Sequence, residues 1–360
     1  MKTKLIRVDA QELQDSSTSC ETKKVLQEAG EIIRQGGLVA FPTETVYGLG
    51  GDALNPESSK KIYAAKGRPS DNPLIIHIAD MEHLGRITRD VPQSAYQLAK
   101  AFWPGPLTMI LPKSEEVPYQ TTGGLDTVAV RMPSHPVAME FIKAAGGYVA
   151  APSANLSGKP SPTTAKYVVQ DMDGRIDMII DGDGVDIGLE STIVDLTSEK
   201  PMILRPGYIT EEMLDAVLGQ VETDPTLLEA DSKEAPKAPG MKYRHYAPKG
   251  ELVLVEGNPE AVVSYINEQT SLHRQQGEKT GVIGTSEMTG RYEADSIKIA
   301  GSRNDEAAIA RQLYTFLREF DDEDVAYMYA ESFAGTGMRQ AIMNRMLKAA
   351  GHKVIKLEEK

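Results

Sequence analysis

The chain has 360 residues, 41% hydrophobic and 25% charged, an ordinary globular balance in a length that suggests two domains. A single cysteine, Cys20, excludes a disulfide framework and a multi-cysteine zinc site, and no apolar run approaches the roughly 18 residues of a membrane span. The formal charge of −13 argues against broad nucleic-acid binding, although a few arginines in a cleft can still hold a small anion.

The N-terminus, MKTKLIRVDAQELQDSS, lacks the apolar core of a signal peptide, so a cytoplasmic protein is expected. A helix over about 22–35 should stop at Gly36-Gly37, and the buried strand LVAFP follows. Further strands are expected at 74–78, 107–112, 127–133, 148–154, 177–182, 191–196 and 202–207, with helices over 57–65, 92–101, 135–145 and 163–170. Seven or more strands with fewer helices imply an α+β or open α/β domain with a curved sheet.

The stretch 220–240, QVETDPTLLEADSKEAPKAPG, has no apolar period and reads as a linker. Its continuation MKYRHYAPKG packs two tyrosines, a histidine and three basic residues into ten positions, dense for a passive tether. Beyond it, strands at 251–257, 280–286, 297–301, 325–331 and 353–357 alternate with helices over 258–275, 304–319 and 337–350, a small parallel sheet flanked by helices. The turn GTG at 335–337 could cradle phosphate or simply be tight. The organisation expected is therefore 1–220, a linker over 221–250, and 251–360. Both main parts are acidic, with 21 basic and 29 acidic residues in the first and 13 and 18 in the last.

Several residues could do chemistry. In KGRPSDNPL (66–74), Lys66 and Arg68 sit in a Gly/Pro-punctuated loop beside Asn72, a cationic turn whose backbone can approach phosphate, though without P-loop spacing. His77 falls inside the apolar strand LIIHI, where a hydrogen-bonded structural histidine is the bland reading. Arg131 in TVAVRMP needs a partner, either a protein carboxylate or a substrate carboxylate held bidentately. APSANLSGKPSPTT (151–164) gathers Ser153, Asn155, Ser157, Ser161 and Thr163 in one loop suited to neutral hydrogen bonding. Ser191 opens a strand, and Arg205 closes another. There is no GxSxG, no metal spacing among the six histidines, and no histidine near Cys20. Such a set suits direct transfer between bound substrates, by positioning and charge stabilisation.

In order, FPTETVYGLG (41–50), KGRPSDNPL, WPGPLT (103–108), RMPSHP (131–136), APSANLSGKPSPT, ESTIVD (190–195) and LRPG (204–207) closely resemble the YrdC-like domain. With KYRHYAP (242–248) and the C-terminal α/β part, the chain resembles the two-domain L-threonylcarbamoyladenylate synthases over nearly its whole length. The resemblance implies an N-terminal YrdC-like open twisted sheet with a concave cavity and a smaller Rossmann-like C-terminal domain. It implies a nucleotidyltransferase that joins L-threonine, bicarbonate and ATP with Mg²⁺ and releases pyrophosphate, so that partner transferase proteins can modify the adenosine beside the tRNA anticodon. Thr45, His77, Arg131, Ala151 and Ser191 would line the threonine pocket. Lys66, Arg68, Asn72, Thr127, Ser153, Ser161 and Arg205 would contact ATP, Lys66 and Arg68 acting electrostatically with no protein nucleophile and no protein-held metal. KYRHYAP would close as a lid, bringing Tyr243, His245 or Tyr246 to ATP. A double-stranded RNA-binding module is the alternative, which the acidic balance disfavours. A carbamoyltransferase like the larger hydrogenase-maturation proteins lacks its accompanying segments here.

Overall fold

Alternating apolar runs between Gly- and Pro-rich turns set the architecture. The computed structural model describes residues 2–13, 19–228, 245–332 and 335–357, which fall into two units. The first comprises 1–157, 161–186 and 190–242; the second comprises 158–160, 187–189 and 243–360. Tyr243 and the rest of 229–244 lie outside the described residues.

In the first unit the strands are β1 (Lys4–Arg7), β2 (Val39–Phe41), β3 (Gly48–Asp52), β4 (Ile75–His77), β5 (Leu107–Pro112) and β6 (Thr127–Arg131). They continue with β7 (Val149–Ala150), β8 (Met178–Asp181), β9 (Thr192–Asp195), β10 (Met202–Arg205) and β11 (Glu222–Thr223). One mixed sheet holds all eleven, in the order β1-β8-β2-β3-β7-β4-β6-β5-β9-β10-β11. The helices are α1 (Ser19–Arg34), α2 (Pro56–Lys66), α3 (Leu84–Ile87), α4 (Gln93–Phe102), α5 (Tyr119–Thr122), α6 (Pro136–Ala144), α7 (Ala165–Met172) and α8 (Glu211–Leu218). Successive strand side chains point to opposite faces, and the core divides accordingly. Val39, Phe41, Met178 and Ile180 pack with Leu26 and Ile33 of α1 and with Phe141 and Ile142 of α6. Ala40, Ile76 and Ile179 belong to the other cluster, with Ile62 of α2, Leu98 of α4, Val168 of α7 and Leu214 of α8. Strands covered on both faces are the physical reason these runs are almost continuously apolar.

Three features escaped the sequence reading. β1 pairs in parallel with β8, Lys4 opposite Met178 through Arg7 opposite Asp181, although its charged residues conceal a strand. β3, GLGGD, has too few side chains to show a period. The start of the expected linker, 221–228, is structured instead: β11 pairs with β10 and a short 3₁₀ turn follows. Backbone pairing at a sheet edge requires no apolar pattern.

The second unit has β12 (Glu251–Glu256), β13 (Thr280–Gly284), β14 (Ser296–Ile299), β15 (Tyr327–Glu331) and β16 (Val354–Lys356). Its helices are α9 (Pro259–Gln275), α10 (Glu306–Asp322) and α11 (Met338–Ala349). The sheet is wholly parallel, ordered β14-β13-β15-β12-β16, an α/β arrangement in which β15 stands between β13 and β12, where the Rossmann order would pair those two directly. Asn258 caps α9 ahead of Pro259, and Asp305 caps α10. The GTG turn opens α11. Tyr246 belongs to this unit, with φ at +63° and its ring stacked on Tyr314 at 5.2 Å. Among the described residues no helix is long and apolar enough to cross a membrane.

Candidate functional site

Asn55 caps α2 at one end, and the helix ends at Gly67, whose left-handed φ of +61° lets its N–H reach back to Ala64 and Tyr63. That reversal fixes where Lys66 and Arg68 point. Lys66 is buried, and its ammonium donates to the carbonyls of Ser153 and Asn155. Ser153 Oγ donates to Asn155 Oδ1. Thus one cation clamps the APSAN loop onto the end of α2. Arg68 folds over its own loop, Nε to Asn72 O at 3.3 Å and Nη2 to Pro73 O at 3.1 Å. Asn72 is buried, and its Oδ1 has no hydrogen-bond partner among the described residues.

The second cluster is built by sheet register. His77 on β4 lies opposite Arg131 on β6, and Arg131 lies opposite Thr108 on β5. Arg131 Nη1 donates to Thr45 Oγ1 at 2.9 Å, and Nη2 stands 2.8 Å from Glu44 Oε1. That ion pair is misaligned for hydrogen bonding: both Glu44 oxygens and Arg131 Nε and Nη2 lack hydrogen-bond partners among the described residues. Arg131 and Glu44 are each only 4% exposed, so the charges face one another with little water between. Thr108 Oγ1 and Ser191 Oγ lie 2.7 Å apart, and Arg205 reaches Ser191 through Nε to its carbonyl and Nη2 to its hydroxyl. Gly207 permits this closeness, because a Cβ there would lie 2.5 Å from Thr192 N. Ala151 donates its N–H to Ile75 O, beside the same strand ends. Ser161 donates to Glu190 Oε1 at 2.6 Å, next to Ser191 in sequence.

His77 is 3% exposed; burial first, and then the nearby Arg131 charge, push its pKa down to about 3. The imidazole is therefore neutral at working pH, with Nδ1 against Ile75 O and its ring edge-on to Phe41. The unfolded chain takes up this proton below about pH 6.5 whereas the folded chain excludes it, so stability falls with pH below 6.5. Between pH 6.5 and 5 this group should cost about 2 kcal/mol. Urea unfolding at pH 5, 6 and 7 should show a shallower slope for His77→Gln than for the parent. Equal slopes would refute the assignment.

The structure thus joins Thr45, His77 and Arg131 directly, and Ser191 with Arg205 through neighbouring strand ends. Lys66 and Ser153 form a second group, and Arg68 with Asn72 a third on the same loop. Thr127 opens β6, four residues and about 13 Å of strand from Arg131. His245 and Tyr246 fall in the second unit. Glu44, Thr108 and Glu190 were missed by sequence reasoning. All three lie inside quoted motifs, FPTETVYGLG, WPGPLT and ESTIVD, the one signal that could have found them. Among the described residues no group of three or more His, Cys, Asp and Glu side chains is placed to hold a metal ion.

Residues 31–207 match the family described as telomere recombination, and residues 209–351 match the threonylcarbamoyl-AMP synthase C-terminal domain. The chain is 49% identical to the threonylcarbamoyl-AMP synthase of Bacillus subtilis over 92% of its own length and 94% of that protein's. It is likewise 49% identical to the synthase of Pyrococcus abyssi, over 91% of this chain and 95% of the other. Among solved structures, the crystal structure of P. abyssi Sua5 complexed with L-threonine superposes with a TM-score of 0.91 at 46% identity. That match covers 99% of this chain and 100% of the other.

Proposed function

This chain belongs to the threonylcarbamoyl-AMP synthase family, and from that membership we propose that it joins L-threonine, bicarbonate and ATP, releasing pyrophosphate. It is an enzyme of the nucleotidyltransferase type, serving tRNA threonylcarbamoylation. The observation that carries the reading is the Arg131 guanidinium, with two nitrogens lacking hydrogen bonds beside Thr45 in a buried strand end. Such a guanidinium suits a small carboxylate, and the solved P. abyssi relative is complexed with L-threonine. In this reading Thr45, His77, Ala151 and Ser191 complete the threonine pocket.

Lys66, Arg68, Asn72, Thr127, Ser153, Ser161 and Arg205 then bind ATP. A carbamate oxygen attacks the α-phosphorus, and the cations stabilise charge on the departing pyrophosphate. Mg²⁺, when bound with ATP, would supply further charge neutralisation at the phosphates. No protein nucleophile is required, since the carbamate is the nucleophile. Carbamates and mixed anhydrides hydrolyse, so the site must exclude water; KYRHYAP serves as the lid, through Tyr243, His245 or Tyr246. The product passes to transferase proteins that act on tRNA, in the cytoplasm.

Pyrophosphate release should require ATP, Mg²⁺, bicarbonate and L-threonine together. Release without threonine, or none with all four present, would overturn the reading. In the same assay, alanine at Tyr243, His245 and Tyr246 should lower the yield of intact product; a change in thermal stability alone would reduce the segment to a tether.

A further inference from the structure

Among the described residues, the threonine and ATP sets leave the buried Glu44 carboxyl without a hydrogen bond. Glu44 is 4% exposed, and neither oxygen accepts a hydrogen bond among the described residues. A buried acceptor left empty costs free energy unless something fills it. The adjacent hydroxyls are engaged elsewhere, Thr43 Oγ1 with Val46 O and Thr45 Oγ1, and Thr45 Oγ1 with Arg131. What stands beside Glu44 is Arg131 at 2.8 Å, itself with two nitrogens open. A guanidinium and a carboxylate side by side, both with unfilled hydrogen-bond positions, complement an α-amino acid zwitterion: carboxylate to Arg131, ammonium to Glu44.

We propose that Glu44 receives the ammonium of the amino-acid substrate and takes its proton as the carbamate forms. The inference rests on the reaction proposed above. The ammonium gives one proton to the Glu44 carboxylate, leaving a neutral amine with its lone pair free. That lone pair attacks the bicarbonate carbon and forms the C–N bond. One C–O bond breaks, and the departing hydroxide leaves as water with a proton from the nitrogen. The carbamate keeps the negative charge, and Glu44 returns its proton to solvent.

The charged and titratable groups facing Glu44 are Arg131 from β6 and His135 at the start of α6, with His77 on β4 behind Arg131 and Asp186 acting on His135. Burial holds the His135 imidazole below its ordinary pKa and pushes His77 down to about 3, so neither accounts for a change between pH 7 and 9.5. A difference between the variant and parent profiles in that window therefore reads the loss of Glu44 rather than either imidazole.

The test is Glu44→Gln, isosteric but a poor proton acceptor. At pH 7 its kcat/KM for threonine should fall by about 10²–10⁴. It should then recover close to tenfold per pH unit as the free-amine fraction rises, while the parent profile stays flatter. A variant profile parallel to the parent's, or near-parent activity at pH 7, overturns the proposal. A second measurement needs no variant: the parent should bind 2,3-dihydroxybutyrate, with hydroxyl in place of ammonium, at least 30-fold more weakly than threonine. Equal binding overturns the ammonium contact even if the variant does not fold. If the parent itself shows no threonine-dependent pyrophosphate release, the reaction reading has failed; if it does and the profiles are parallel, only the role of Glu44 has.

Discussion

Replacing Arg131 with alanine is expected to abolish threonine-dependent pyrophosphate release and to destabilise the first unit together. Losing a carboxylate clamp in a desolvated pocket should cost roughly 2–5 kcal/mol of threonine binding. The same change strands Glu44, whose only nearby cation at 2.8 Å among the described residues is this one. An uncompensated buried charge costs about 3–5 kcal/mol of stability. The two effects separate in the double variant Arg131→Met with Glu44→Gln: removing both charges should restore much of the stability and none of the binding. Titration calorimetry reads the first quantity and urea unfolding the second. Near-normal threonine affinity in Arg131→Ala would remove Arg131 from the pocket.

Lys66→Ala should act on the other substrate. The ammonium sits at the end of α2 with its donors on the carbonyls of Ser153 and Asn155, so it both holds that loop and brings positive charge to it. Loss of a preorganised charge donor should slow α-phosphate displacement by about 10²–10³, or roughly 3–4 kcal/mol. Threonine affinity should fall far less than turnover, because Lys66 donates to the carbonyls of Ser153 and Asn155, while Arg131 is held by Thr45 and Glu44. Lys66→Met, which keeps much of the buried volume, controls for lost packing. If either variant kept ATP affinity and turnover while threonine affinity collapsed, the roles of the two clusters would have to be exchanged.

Much of the fold could be read because its strands are buried on both faces and its helices are punctuated. LTMILP is a strand over the very residues its apolar run suggested, and Gly67 stops α2 where a left-handed turn was needed. What hid were elements without a hydrophobic signature: β1 with its charges, β3 with its glycines, β11 with two polar residues. The site was legible as a set of chemical types but not as a set of neighbours. His77 opposite Arg131, and Thr108 against Ser191, are products of sheet register between residues far apart in sequence. Only the family resemblance sorted them into a threonine set and an ATP set. Glu44 escaped even that, because a glutamate among threonines in a turn reads as solvated until its burial is seen.

The pairing of β1 with β8 has a consequence for how the chain comes to exist. Arg7 meets Asp181 only after 174 further residues have been made. At about 5–20 residues per second, the first strand waits roughly 9–35 s on the ribosome for its partner. Through that interval it has no β8 to pair with, and an unpaired strand edge is open to pairing with other chains. Its exposed Lys4 and Arg7, which conceal the strand from a hydrophobic reading, also charge the segment against such encounters. The same two residues that cost the strand its signature keep it available until β8 arrives between it and β2.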